Sequence, residues 1–182
     1  RYWASRVEYN ASENRYEIKR VTGTDEHHPY VDNNAYTNYL VCLVLKYAVR
    51  FYEELAIKAE GVIKKIDLQK SEIEIWKEII SKLYLPLEKD TGMIPQFDGY
   101  FSLNKSLEIA GGSVAKSYQM KESGLYHESQ VIKQPDVMLL FSYINLKFDE
   151  RIYKRNWNYY EARCEASSSL SYPVHSICAS DM

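Results

Sequence analysis

At 182 residues the chain is long enough for one domain with a sizeable core, and 46% apolar residues with a formal charge of −2 is the composition of an ordinary soluble protein. There is no basic excess suited to nucleic acid and no acidic tail. The longest apolar stretch, Tyr39 to Ala48, is interrupted by Lys46 and is too short to span a bilayer, and the opening Arg1-Tyr2-Trp3-Ala4-Ser5-Arg6 has no apolar signal-peptide core. Residues 1–20 read as a short amphipathic piece followed by a loop. The best helix is expected from about Asn34 to Glu60, with Tyr39, Cys42, Leu43, Leu45, Ala48, Val49, Tyr52 and Leu55 on one apolar face and Gly61 as its stop. A second is expected from about Gln69 to Tyr84, with Ile73, Trp76, Ile79, Ile80 and Leu83 at helical spacing, a Ser71–Glu74 capping box and Pro86 beyond its end. Residues 86–130 hold Gly92, Pro95, Gly99, Gly111 and Gly112 with little periodicity, and read as long loops with short structured pieces. Pro135 then suits a first helical turn, Val137 to Leu146 and Phe148 to Tyr160 read as two more helices, and Ser167 to Ser171 leads into a last one. Helix follows helix, so the expected class is mostly α. A patterned start and a patterned end suggest an incomplete domain.

The three cysteines, Cys42, Cys164 and Cys178, are odd in number and have no metal-ligand spacing, so they read as buried reduced thiols. His27 and His28 are adjacent while His127 and His175 stand alone, a pattern without metal spacing. The 17 tyrosines suit sugar contacts but equally fill half-buried helix faces. Most informative is the run Val21-Thr22-Gly23-Thr24-Asp25-Glu26-His27-His28-Pro29, which places two carboxylates on a glycine-led loop directly before the longest helix. A loop that presents a carboxylate at the mouth of a rigid scaffold is a common construction for an acid catalyst.

With Val31-Asp32-Asn33-Asn34-Ala35-Tyr36-Thr37-Asn38, the segment Gly23-Thr24-Asp25-Glu26 resembles glycoside hydrolase family 65, which includes the maltose, kojibiose and trehalose phosphorylases and related hydrolases. The similarity continues in order through Trp3-Ala4-Ser5-Arg6, Gly92 to Tyr100, Lys133-Gln134-Pro135-Asp136-Val137, and Ser168-Ser169-Leu170-Ser171 with His175-Ser176. The resemblance implies the second half of an (α/α)6-barrel catalytic domain spanning 1–182, with the rest of the barrel as its structural partner and a homodimer as the fitting assembly. It implies inversion at an α-glucosidic carbon, in which one carboxylic acid protonates the leaving oxygen and a nucleophile attacks the opposite face. By the same resemblance Glu26 is the general acid, its pKa held high by a partly apolar pocket to which Asp25 contributes. Lys133 and Gln134 contact the transferred glucose, Asp25, Trp3 and Arg6 help shape the pocket, and no cofactor or metal is needed.

Phosphorylases of the family hold phosphate with a Ser-Ser pair, here Ser168 and Ser169, and with Thr and His donors just before it. In this chain Cys164 stands at the Thr position and Ala166 at the His position, with Glu165 between them. A carboxylate about 4 Å from a phosphate would oppose it by about 4 kcal/mol at an effective dielectric of ~20. The same carboxylate could activate water. The sequence reading is therefore an inverting hydrolase of an α-linked glucose disaccharide, with Glu26 as acid and Glu165 as base. The alternative is a phosphorylase with inorganic phosphate as co-substrate, and a third reading is an inactive carbohydrate-binding fragment. Thr24 and His27 also depart from the family's usual Pro and Tyr, at positions that bear on the leaving-group subsite. Compartment, cytoplasmic or periplasmic, is left open.

Overall fold

The computed structural model describes residues 1–104, 126–144, 146, 148–165 and 168–181. Residues 105–125 of the expected long loop, with Ala166 and Ser167, fall outside them. The chain divides into two compact units, one of Arg1–Ile18 with Asn38–Leu85, the other of Lys19–Thr37 with Pro86–Met182.

The first unit opens with a five-residue helix α1 (Tyr2–Arg6), then strands β1 (Val7–Asn10) and β2 (Arg15–Ile18). These strands pair antiparallel, Val7 opposite Ile18 and Tyr9 opposite Tyr16, with the two tyrosine rings 5.2 Å apart. The expected loop is therefore a hairpin. Four-residue strands carry too few alternations to register against the helical pattern around them, and the turn relies on Asn14 at φ 48 rather than on a glycine.

Helix α2 (Ala35–Lys58) buries Tyr39, Cys42, Leu45 and Val49 of the predicted face, and Val41 besides. Ala59, at φ −155, ends α2, and Gly61 lies inside a short helix α3 (Glu60–Lys65) instead of stopping the first. Helix α4 (Lys70–Lys82) buries Ile73, Trp76 and Ile79 and packs on α1 and β2. Its capping box is Gln69 with Glu72, two residues before the expected pair. The Glu72 carboxylate accepts from the Gln69 amide at 3.0 Å and also pairs with Arg1.

Among the described residues the second unit is built on three helices, α5 (Asp136–Ser142), α6 (Glu150–Glu161) and α7 (Ser171–Ser180), with α5 against both others. Val137, Met138, Leu140 and Phe141 of α5 are buried, each such side chain contributing about 1.5–3 kcal/mol. The Tyr153 hydroxyl on α6 donates to the Cys178 carbonyl on α7 at 2.6 Å. The glycine-containing loop is tied to α6 by Asn156, which accepts from the Ile94 amide and donates to the Gly92 carbonyl, both at 2.9 Å. Beneath that loop Tyr160 donates to the Ile94 carbonyl at 2.5 Å, and Tyr100, at the start of a single 3₁₀ turn, donates to the Gln130 carbonyl at 2.7 Å. All three cysteines are free and buried. The described chain is mostly helical, as the periodicity indicated.

Candidate active site

Val21 and Val31 exchange two backbone hydrogen bonds, at 3.0 and 2.9 Å, and so close the loop that carries Asp25 and Glu26. Asn34 then begins α2 as its cap, its side-chain oxygen accepting from the Thr37 amide at 2.9 Å. Across the loop lies the start of α5. Ile132 and Cys164 form a bridge, with the Glu165 amide donating to the Ile132 carbonyl at 2.8 Å, which brings Glu165 beside Lys133 in the chain's register.

Glu26 presents an exposed carboxylate, with 60% of the side chain open to solvent, paired with the Lys133 ammonium. Its backbone is held, since the Glu26 amide donates to Gln134 Oε1 at 3.1 Å. The hydrogen bond and charge of Lys133 move the carboxyl below its ordinary range. This corrects the expectation of an acid kept protonated by an apolar pocket. The described residues supply no such burial, and a cation in contact favours the ionised form. Lys133 is moved the other way, above the usual lysine range, chiefly by its hydrogen bond to Glu26.

Asp25, expected to help form the sugar pocket, is only 1% exposed and serves the protein itself. Its Oδ1 accepts from the His27 amide at 3.1 Å and the Lys133 amide at 2.9 Å. Its Oδ2 lies 2.6 Å from His28 Nδ1 and accepts from Gln96 Nε2 at 2.7 Å. The other His28 nitrogen, Nε2, is 2.9 Å from the Ser129 carbonyl. Both histidine nitrogens face acceptors, so both carry protons and the ring is an imidazolium. Burial pushes the His28 pKa down, but the hydrogen bond and charge of Asp25, the Ser129 carbonyl and Asp136 outweigh it and leave the group above the usual histidine range.

Behind Asp25 lies Asp136 at the first turn of α5, wholly buried. It accepts from the Asp25 amide at 2.8 Å, from Asn34 Nδ2 at 2.7 Å and from the Thr24 hydroxyl. Burial and then the charge of Asp25 push its carboxyl up to about 6. Both groups shift upward, so the sign is the same for each. Their stabilisation is complete below the unfolded pKa values, ~3.9 for Asp and ~6.5 for His, and is lost as pH rises through the folded values. Urea unfolding is therefore expected to show lower stability at pH 8 than at pH 5, and His28→Gln is expected to remove the part of that fall above pH 6.5. Identical pH dependence in the two proteins would contradict a charged His28.

Glu165 is buried, at 5% exposure. Tyr126 donates to its Oε2 at 3.3 Å, and His27 Nε2 lies 3.1 Å from Oε1, close enough for an ion pair although out of line for a hydrogen bond. The His27 ring stacks on Tyr126 with centroids 3.7 Å apart. Cys164, on the Thr position of the family motif, has its thiol pushed up to about 12, mainly by burial, and is an apolar filler rather than a nucleophile. Ser168 is buried and its hydroxyl accepts from the Leu170 amide at 3.4 Å, while Ser169 is exposed in the turn before α7.

The second unit thus brings Asp25, Glu26, Lys133, Gln134 and Glu165 together. Trp3 and Arg6 belong to the first unit, where the Trp3 ring stands edge-on to Tyr2 at 5.2 Å. Sequence reasoning assigned no role to His28, Gln96, Tyr126 or Asp136. Asp136 lies within the Lys133-Gln134-Pro135-Asp136-Val137 motif, where its place in a first helical turn indicates only a helix start. Among the described residues no cluster of three or more His, Cys, Asp or Glu side chains is arranged to hold a metal ion.

Comparison with known proteins places the chain among carbohydrate-active relatives. The chain is 51% identical over 181 residues, its whole length, to 3-O-alpha-D-glucosyl-L-rhamnose phosphorylase of Lachnoclostridium phytofermentans, and 39% identical over 191 aligned positions to kojibiose phosphorylase of Halothermothrix orenii. A solved structure named as a kojibiose phosphorylase from the human microbiome superposes with a TM-score of 0.86 at 27% identity over 98% of this chain. These matches occupy 23%, 24% and 25% of the respective proteins, so the chain spans about a quarter of their length. The mostly helical fold and the structural match agree with part of an (α/α)6 barrel. The family model described as the Glycosyl hydrolase family 65 central catalytic domain matches residues 1–182, and the chain belongs to that family.

Proposed function

We propose that the protein carrying this chain is an inverting phosphorylase of an α-glucosyl disaccharide. In this reaction the C1–O bond to the leaving sugar breaks as Glu26 gives its proton to that oxygen, and a phosphate oxygen forms the new bond to C1 from the opposite face. The product is β-glucose 1-phosphate, and the proton carried in by phosphate restores Glu26 over the turnover. The observation that carries the reading is the 51% identity, over the whole chain, to a relative named as a phosphorylase. It favours the alternative drawn from the sequence over the hydrolase reading.

The geometry of Glu165 supports the same choice. A general base must face the water it activates, whereas Glu165 is 5% exposed, with Tyr126 donating to Oε2 and His27 Nε2 lying 3.1 Å from Oε1. Ser168 and Ser169 are the hydroxyls assigned to phosphate, and Lys133 and Gln134 the groups assigned to the glucosyl hydroxyls. In this reading Lys133 leaves Glu26 for the sugar on binding, and loss of the adjacent cation lets the Glu26 pKa rise toward the range an acid requires. The remainder of the barrel and a homodimer complete the proposed assembly.

The test is to assay the complete protein on 3-O-α-glucosyl-rhamnose, kojibiose, nigerose, maltose and trehalose, with and without inorganic phosphate. Turnover is expected only with phosphate, with glucose 1-phosphate as product. Glucose release that ignores phosphate would reinstate the hydrolase, and loss of that release in Glu165→Gln would then identify its base.

A further inference from the structure

On the phosphorylase reading, whose assay it borrows, we infer that Asp25 is a positioning residue that sets where the Glu26 carboxyl stands, rather than a sugar ligand. Its carboxylate is engaged by four protein donors from three separate stretches of chain: His27 N and His28 Nδ1 on the acid loop, Gln96 Nε2 on the glycine-containing loop, and Lys133 N before α5. Two of those donors bracket the chemistry. The His27 amide follows Glu26 directly, and the Lys133 amide belongs to the residue whose ammonium meets Glu26. The clamp extends outward on both sides, through His28 Nε2 to the Ser129 carbonyl at 2.9 Å and through the Gln96 carbonyl to the Ala35 amide at 2.8 Å, at the first turn of α2.

Glu26 itself combines a pinned backbone with an exposed side chain. That is the arrangement of a group that must reach a substrate atom from a fixed root. An error of about 1 Å in such a root is enough to lower a rate by roughly 10²-fold. Asp25 is too deeply buried, at 1% exposure, to meet a sugar hydroxyl, so its effect on the reaction passes through Glu26.

A positioning role for the acid predicts dependence on the leaving group, which a general structural role does not. In the complete protein, Asp25→Asn puts an amide N–H where the His28 and Gln96 donors now point. Its kcat on the disaccharide is expected to fall roughly 10²-fold with KM little changed. Turnover of α-glucosyl fluoride with phosphate should be largely spared, because fluoride departs without a proton from Glu26. Gln96→Met provides a second variant should Asp25→Asn fail to fold. It conserves volume, removes one donor to Asp25, and also removes the Gln96 Oε1 atom that is buried without a partner. The same split, smaller in size, is expected there.

Equal losses on both substrates, or no loss on either, would overturn the inference. Glu26→Gln distinguishes the two levels. If it spares disaccharide turnover, the acid assignment falls and the clamp with it. If it shows the leaving-group split while the Asp25 and Gln96 variants do not, only the role given to Asp25 falls.

Discussion

Glu26→Gln in the complete protein is expected to lower kcat on the disaccharide by roughly 10²–10⁴-fold, the usual contribution of a positioned general acid. Glutamine matches the shape of Glu26, and its oxygen can still accept from Lys133, so sugar binding and KM should change little. What it cannot do is give a proton to the leaving oxygen. The substitution also removes the anion that raises the Lys133 pKa, an effect to be followed by titration of that ammonium. A kcat that stays within about tenfold of the parent would take Glu26 out of the acid role, since general-acid loss is larger than that. Retained activity could not be attributed to Asp25 as a replacement, because that carboxylate is buried and fully engaged.

Gly23→Ala is expected to destabilise the fold by about 3 kcal/mol, through overpacking and the loss of a buried hydrogen bond. A Cβ at Gly23 would lie 2.0 Å from Asp136 Oδ2 and 2.6 Å from Asn34 Nδ2. These are not loose ends that can swing aside. The two atoms bond each other at 2.7 Å, and both residues are buried. Asn34 is held further by Thr37 at the start of α2, and Asp136 by the Asp25 amide. The methyl group must therefore push the acid loop outward or part the Asn34–Asp136 pair, and either movement displaces the root of Glu26. Urea unfolding and kcat measured on one preparation check this together. An unchanged unfolding midpoint would mean that the glycine is not required by this close approach.

The helices were legible because their signal is local. Ile73, Trp76 and Ile79 recur at helical spacing, so α4 could be placed within two residues of its observed ends. Signals shorter than a few turns were not legible in the same way. The β1–β2 hairpin and the break at Ala59 depend on a handful of dihedrals, with Ala59 at φ −155 and Asn14 at φ 48. The capping box shows the same limit. Two Ser/Gln-to-Glu spacings lie two residues apart at the start of α4, and the contact of Glu72 with Arg1 accompanies the one that forms.

By itself the sequence determined the helical class, the family, and the loop on which Glu26 is presented, since each is carried by contiguous residues or by motifs in order. Tertiary structure alone decided what the charges around that loop do. Asp25 and Lys133, Glu26 and Gln134, and Asn34 and Asp136 are pairs more than 100 residues apart. Nothing in local pattern indicates that Asp25 points into the protein while Glu26 points out, or that a chance-looking His27 meets Glu165. Whether a carboxylate acts as base, acid or brace is set by burial and by the donors around it. Those neighbours come together only when distant segments pack.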